Sequence, residues 1–336
     1  MSLDIQVLGR PGRDNALYLR VDSGQHISRL LFDCGEACLY ALSRGEIQDV
    51  DEVFFSHFHM DHVCGFDTLF RANFSRGLHV WGPPGTIDVM HHRFRGFLWN
   101  LHKGRGGQWS VHETDGVTLK GARFRLREAF ETAHRDTDRP LDGNLVQRRA
   151  DYEVRAIALD HRTISMGWRV NEPKRLNVDP DRLQSCGIAP GPWLQKVKNF
   201  DEADDVLVEA GGKETALGEL REKLLVESGG DSVAYLTDFR LDADARTRLI
   251  PFLDGCHTVI CEAQYLGEEG ELASRNYHST VEEVAELAKA AGIKRLVLFH
   301  LSDRYQRDQW REMLARAQAI FPATEFPEHW RDRLGV

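Results

Sequence analysis

Ser56-His57-Phe58-His59-Met60-Asp61-His62 sets three imidazoles and a carboxylate close together, directly after the apolar run Val53-Phe54-Phe55. Imidazole and carboxylate are the ligands of borderline divalent metals such as zinc. Four such groups at this density exceed what one ion with an open coordination position takes from a single loop. The stretch therefore reads as two adjacent metals sharing the loop. His57 and His59 lie two apart and project to one side of an extended backbone; Asp61 and His62 then turn toward the second ion. The alternative is a histidine-rich surface loop without metal, and further ligand-type residues downstream argue against it.

Those residues follow strand-like runs. Short apolar or alternating segments, rich in branched and aromatic residues, recur at Ile5–Leu8, Leu30–Phe32, Val53–Phe55, Leu78–Trp81, Val154–Leu159, Ser232–Leu236, Thr258–Ile260 and Leu296–Phe299. His161 comes just after Leu159, Asp238 after Leu236, Glu262 after Ile260 and His300 after Phe299. Strand ends on one edge of an open α/β sheet converge in space, and sites form there. Helical periodicity lies between several runs. It is clearest from Val281 to Ala291, with a capping box at Thr280/Glu283 and a stop at Gly292. The alternation predicts an α/β fold with helices covering the sheets.

Composition bounds the rest. The 336 residues are 42% hydrophobic and 28% charged, enough core for one large domain or two smaller ones. No apolar run is long enough for a membrane span, and Met1–Gln6 lacks the features of a signal peptide. Six scattered cysteines without a disulfide pattern point to reduced thiols and a cytoplasmic protein. Cys34 and Cys38 could pair on zinc, but no second pair accompanies them.

The net charge of −9 argues against nucleic acid, yet it is unevenly spread. Residues 201–227 hold nine acids and three bases. Residues 89–112 hold no acid, and interleave Arg93, Arg95, Lys103 and Arg105 with Phe94, Phe97, Trp99 and Trp109. That segment fits either an RNA-binding surface or a solvated basic loop beside core aromatics. Proline and glycine break the strand–helix rhythm from Asn171 to about Asp231, which reads as an inserted arm within a single domain spanning 1–336.

The His57–His62 stretch matches the HxHxDH signature of the metallo-β-lactamase fold. More specifically, the chain resembles ribonuclease Z, the tRNA 3′-processing endonuclease. The matching stretches run in family order: Leu31–Glu36, His57–His62, Trp81–Thr86, His161 with Met166–Val170, Cys186–Pro192, Glu262-Ala263, Tyr277–Thr280 and His300–Tyr305. The resemblance implies a four-layer αββα fold with an arm inserted at about 171–230. It implies His57, His59 and His161 as ligands of one metal, Asp61, His62 and His300 of the other, and Asp238 as the bridge. The two divalent ions are then expected to be zinc, with manganese or magnesium as alternatives.

Two such ions make a nucleophile available at neutral pH and neutralise developing phosphodiester charge. Asp61 would orient or deprotonate the attacking water, and His278, oriented by Glu262, would protonate the leaving 3′-oxygen. His134 is a rival to His161, but no strand-like run precedes it. Ser302 and Arg304 are candidates for binding a substrate phosphate, and Lys196 and Lys198 for gripping tRNA from the arm. A homodimer acting on pre-tRNA is the implied assembly. The alternatives are a hydrolase of the same fold acting on a small phosphodiester, sulfate ester or lactone, and a non-catalytic RNA-binding or scaffold member. The acidic stretch after Lys198 departs from the family's basic arm, and Thr237-Asp238-Phe239 from its usual Gly-Asp-Thr.

Overall fold

The computed structural model describes residues 3–102 and 106–335. Lys103 and Arg105 of the basic segment lie outside them. An antiparallel meander, β1 (Leu3–Gly9), β2 (Asn15–Asp22) and β3 (Ile27–Phe32), opens the first sheet. Parallel pairing continues it through β4 (Glu52–Phe54), β5 (His79–Gly82) and β6 (Gln108–Thr114). Antiparallel β7 (Thr118–Arg125) follows, and β8 (His134–Arg135) and β9 (Arg139–Pro140) both pair with its other edge. Helices α1 (Arg44–Gln48), α2 (Met60–Val63), α3 (Phe66–Asn73) and α4 (Thr86–Arg95) lie along this half.

The second sheet begins with antiparallel β10 (Leu145–Arg148), β11 (Glu153–Asp160) and β12 (Ile164–Asn171). The chain then makes a separate compact unit, Glu172–Gly230. This unit holds β13 (Arg175–Val178), α5 (Pro180–Ser185), α6 (Trp193–Lys198), β14 (Leu207–Ala210), β15 (Lys213–Ala216), α7 (Leu217–Leu224) and β16 (Leu225–Ser228). The sheet resumes with β17 (Ser232–Leu236) beside β12, and adds parallel β18 (Thr258–Glu262), β19 (Arg295–Phe299) and β20 (Thr324–Glu325). Between and after these strands come α8 (Ala243–Leu253), α9 (Gly270–Asn276), α10 (Val281–Ala290), α11 (Arg307–Ile320) and α12 (Glu328–Leu334).

Strand periodicity sorts the first sheet's side chains into two cores. Leu17, Leu19, Leu30, Phe32, Phe54 and Trp81 enter the larger core, with Val154, Trp168 and Tyr235 of the second sheet. Tyr18, Leu31, Val53, Phe55 and Val80 face the other way, onto Phe66, Phe70 and Phe94 of α3 and α4. Leu249, Val284, Leu287 and Leu314 from α8, α10 and α11 cover the second sheet. Two sheets with helices outside is the expected αββα layering. Within the described part of 89–112, residues 89–95 belong to α4 and 108–112 to β6, and Phe94 and Trp109 are fully buried. Those two rings serve the core and are not available to stack on bases; Phe97 remains exposed. No described helix is long and apolar enough to cross a membrane.

The 172–230 unit has a core of its own around Leu183, Trp193, Val197, Val208, Leu217, Leu220 and Leu224. Gly211-Gly212, both at positive φ, turn the two-residue β14–β15 hairpin, where glycine carries no Cβ penalty. Buried Arg221 donates to the carbonyls of Val197, Asn199 and Glu202 and to the Asp204 carboxylate, which fastens the acidic loop to α7. Asp201, Asp205, Glu209, Glu214 and Glu222 are exposed, as are Lys196 and Lys198 on α6.

Candidate metal centre

The site forms where strands end. His57 follows β4, His161 follows β11, Asp238 follows β17, Glu262 ends β18 and His300 follows β19. Their donor atoms fall into overlapping sets, each within 4.8 Å: His57, His59, His161 and Asp238; Asp61, His62, His300 and Asp238; and Asp238, Glu262 and His278. Asp238 is common to all three. Its Oδ2 lies 3.7 Å from His57 Nε2, 3.6 Å from His161 Nε2 and 3.4 Å from His62 Nε2, and its Oδ1 lies 3.3 Å from His300 Nδ1. Asp61 Oδ2 lies 3.2 Å from His62 Nε2 and 3.5 Å from His300 Nε2. Local structure separates the loop's two halves. His59 keeps an extended backbone as the cap of α2, and Asp61 and His62 are carried round on that helix.

The sequence reading missed the residue that orients much of this cluster. Asp33, fully buried just after β3, accepts from the Ser56 backbone N–H (2.7 Å), Ser56 Oγ (2.7 Å), His62 Nδ1 (2.8 Å) and the Tyr235 hydroxyl (2.9 Å). Because Ser56 Oγ donates to Asp33, it accepts from His57 Nδ1 at 3.0 Å. That leaves His57 Nε2 with a free lone pair facing the site. His161 Nδ1 donates to the Tyr277 carbonyl (2.8 Å), and the Gln264 amide sits 2.6 Å from His300 Nδ1. Such partners fix the tautomer and ring orientation of metal-ligating histidines. Asp33, Asp238 and His300 all hold left-handed φ of 50–56°. Non-glycine residues persist there where surrounding contacts over-determine them, often at functional sites.

The donor chemistry fits divalent cations. His57 Nε2 is buried and lacks a hydrogen-bond partner, which is costly unless another electrophile takes the lone pair. Burial, then the neighbouring His62, lowers the His57 pKa to about 2, so its imidazole is neutral and able to ligate. Burial opposes charge on His62 and His300 as well, but Asp238, with Asp33 for His62 and Asp61 for His300, overrides it and raises both. Burial likewise works against the Asp61 carboxylate, yet hydrogen bonds from His300 and His62 hold it ionised well below the usual range. Two carboxylates concentrated on these imidazoles make a field that a dication satisfies.

The third set differs. Both Glu262 oxygens are engaged, Oε1 by the Phe239 N–H (2.7 Å) and Oε2 by His278 Nδ1 (2.9 Å). Glu262 is wholly buried, while His278 lines an open cleft of about 540 Å³ with His59, His161 and Tyr265. Burial disfavours the imidazolium, but the charge and hydrogen bond of Glu262 raise the His278 pKa to about 9. The α10 capping box predicted from sequence is present, and Ser279 Oγ donates to the Phe239 carbonyl (2.9 Å), so His278 is fixed between two anchors.

The other candidates fall as follows. His134 pairs with Glu128 and joins none of the ligand sets. Cys34 and Cys38 are buried free thiols, also outside them. Ser302 follows His300 closely and accepts from the Arg304 N–H at 3.4 Å. Arg304 is paired with Glu269 at 3.2 Å and sits over Tyr265 and Tyr305. Lys196 and Lys198 belong to the separate 172–230 unit. Asp33→Ala is expected to strand His62 Nδ1 and weaken metal binding about 10–100-fold, as loss of an outer-shell partner does. A chelator-competition zinc titration measures this, and an unchanged affinity would refute the orienting role.

This layered fold with its convergent histidines and carboxylates defines a hydrolase of the metallo-β-lactamase superfamily. Residues 28–176 match the model of the beta-lactamase superfamily domain. The chain is 46% identical over 331 residues to the ribonuclease Z of Deinococcus radiodurans, covering 98% of each protein. The chain belongs to the ribonuclease Z family. Among solved structures, the metallo-beta-lactamase fold protein YhfI from Bacillus subtilis aligns with TM-score 0.55 and 16% identity, over 96% of this chain and 94% of that one. The short form of human tRNase Z aligns with TM-score 0.50 and 18% identity, over 91% and 94%. At such identity these two speak for the fold alone. The family binds divalent metals, and the His/Asp clusters here are able to hold them.

Proposed function

We propose that this chain is an endoribonuclease that removes the 3′ trailer of pre-tRNA. The observation that carries this reading is the pairing of two ligand sets on Asp238 with the His278–Glu262 dyad beside them, in a chain akin to a ribonuclease Z along nearly its full length. His57, His59, His161 and Asp238 would hold the first ion; Asp61, His62, His300 and Asp238 would hold the second. The first, richer in histidine, suits zinc, and the oxygen-richer second also takes manganese or magnesium. When bound, two such ions act as Lewis acids on the phosphoryl group and make water nucleophilic at neutral pH. Asp61, kept ionised by its histidine neighbours, would orient the attacking water, whose proton passes to solvent. His278 gives its Nε2 proton to the leaving 3′-oxygen, and Glu262 keeps that imidazole charged and oriented. Ser302 and Arg304 lie after His300 in sequence as candidate phosphate contacts, with Arg304 required to leave Glu269.

The enzyme works as a homodimer in the cytoplasm, and the 172–230 segment is its arm. Lys196 and Lys198 are the arm's candidate tRNA contacts. Excising residues 180–224 leaves the β13–β16 pairing, whose last register is Val178 with Leu225. The excision is expected to abolish pre-tRNA cleavage while sparing hydrolysis of bis(p-nitrophenyl) phosphate. Undiminished pre-tRNA cleavage would remove the arm from the mechanism. The exposed acids of the same segment favour a second reading, a hydrolase of small phosphodiesters, since they oppose RNA phosphate. Assaying the wild-type protein on a pre-tRNA with a 3′ trailer and on bis(p-nitrophenyl) phosphate decides between them. Turnover of the small ester alone would select the second.

A further inference from the structure

We infer that Arg162 and Arg275 form a phosphate subsite at the rim of the metal cleft, which takes the RNA backbone phosphate neighbouring the scissile one. The inference rests on the endoribonuclease reading above. Arg162 lines two hollows at once. One is the cleft of about 540 Å³ that holds His59, His161 and His278. The other, of about 680 Å³, is bounded by Arg240, Glu271, Ser274, Arg275 and Tyr277. A polyanion whose scissile phosphate sits at the metals therefore meets Arg162 wherever it continues into the second hollow.

The charges there are unequally committed. Arg240 is neutralised by Asp160 at 3.1 Å and Asp242 at 3.2 Å. Arg162 donates Nη2 to the Arg275 carbonyl at 2.9 Å, and its backbone N–H goes to Asp160 Oδ1 at 3.0 Å. Among the described residues, no carboxylate ion-pairs with the side chain of Arg162 or Arg275, and both are exposed. Glu271 is the single acid lining the second hollow, against three arginines. The guanidinium groups of Arg162 and Arg240 lie over the Tyr277 ring, with Cζ 5.0 and 4.6 Å from its centroid. Stacking on an aromatic face holds a guanidinium flat and leaves its in-plane N–H donors for a planar or phosphate acceptor. An arginine held this way with no carboxylate partner is the pattern of phosphate recognition.

Backbone placement agrees. Arg162 and Tyr277 both adopt left-handed φ, 59° and 60°, sparsely populated for such residues. The same two residues flank the metal site: Arg162 succeeds His161, and the Tyr277 carbonyl holds His161 Nδ1. A merely structural role for Arg162 would thus act through His161 and harm every substrate alike. A phosphate subsite harms only substrates that carry a second phosphate.

The test compares wild-type, Arg162→Gln, Arg162→Lys and Arg275→Gln holoenzymes on a pre-tRNA with a 3′ trailer and on bis(p-nitrophenyl) phosphate, with metal content measured for each. Arg162→Gly is added because glycine tolerates the positive φ, which removes backbone strain as a cause. For Arg162→Gln and Arg162→Gly, the ratio of kcat/KM on pre-tRNA to that on the small ester should fall on the order of tenfold, the worth of one charge-assisted hydrogen bond. The slope of log kcat/KM against log salt should also become shallower by about 0.7, one single-strand phosphate contact. Arg162→Lys should retain most of that slope while losing part of the rate. Equal losses on both substrates, with metal content reduced, would make Arg162 a support for His161 and overturn the subsite. So would unchanged pre-tRNA kinetics and salt slope in the variants. If the wild-type protein leaves pre-tRNA intact while hydrolysing the small ester, the endoribonuclease reading fails first and this inference falls with it.

Discussion

Asp238→Ala is expected to leave the protein folded but without the carboxylate common to its three candidate ligand sets, and to lose almost all activity. Asp238 belongs to every ligand set in the site, and its two oxygens face His57, His161, His62 and His300 at 3.3–3.7 Å. Removing it leaves His62 and His300 with a much weaker field for a dication. Lewis-acid stabilisation by bound metal is worth several kcal/mol in the transition state, and each 1.36 kcal/mol is tenfold in rate. The loss in kcat/KM should therefore be at least about 10³-fold on any phosphodiester. Elemental analysis should find well under two ions per chain. Asp238→Asn keeps the shape without the charge, and should show a similar deficit if charge is what matters. A variant that keeps full metal occupancy and wild-type turnover would place the reacting centre elsewhere.

The strand ends were legible in sequence because each apolar run stops at a polar residue: Phe55 before Ser56-His57, Leu236 before Thr237-Asp238, Phe299 before His300. The same rule applied to Leu30–Phe32 points straight at Asp33, which the sequence presents only within the family stretch Leu31–Glu36. Its role is invisible without three dimensions, since its partners Ser56, His62 and Tyr235 are far from it in the chain. Gln264 is hidden for the same reason. Strands β2, β6, β7 and β12 were not among the predicted runs, although Leu17, Leu19 and Val21 alternate in β2 and Trp109 and Val111 in β6. In β6 the alternation was masked by neighbouring arginines and histidines, a composition equally suited to a nucleic-acid surface. Burial of Trp109 settles that ring's role, which composition alone left open.

The acidity of residues 201–227 also has a structural component. Asp204 answers the buried Arg221, so part of that charge stabilises the segment itself.

His278→Ala should separate proton donation from metal binding. Its Nδ1 is tied to Glu262 at 2.9 Å, and it lines the cleft beside His59 and His161 without being needed to complete either histidine-rich ligand set. The variant should keep its metals and lose on the order of 10²–10⁴-fold in kcat on pre-tRNA, the usual contribution of a general acid. The deficit should shrink sharply with bis(p-nitrophenyl) phosphate, because p-nitrophenolate leaves without a proton. Glu262→Gln supplies the pH signature. In the wild type, Glu262 outweighs burial and raises the His278 pKa to about 9, so the acid form persists through neutral pH and is lost as pH rises through that value. With the carboxylate gone, burial pulls the pKa down, and the basic limb of kcat against pH on pre-tRNA should move to lower pH. The acidic limb belongs to other groups and should stay where it is. Equal losses on both substrates, with an unmoved basic limb in Glu262→Gln, would show that the dyad positions the phosphodiester and that the leaving oxygen draws its proton from solvent.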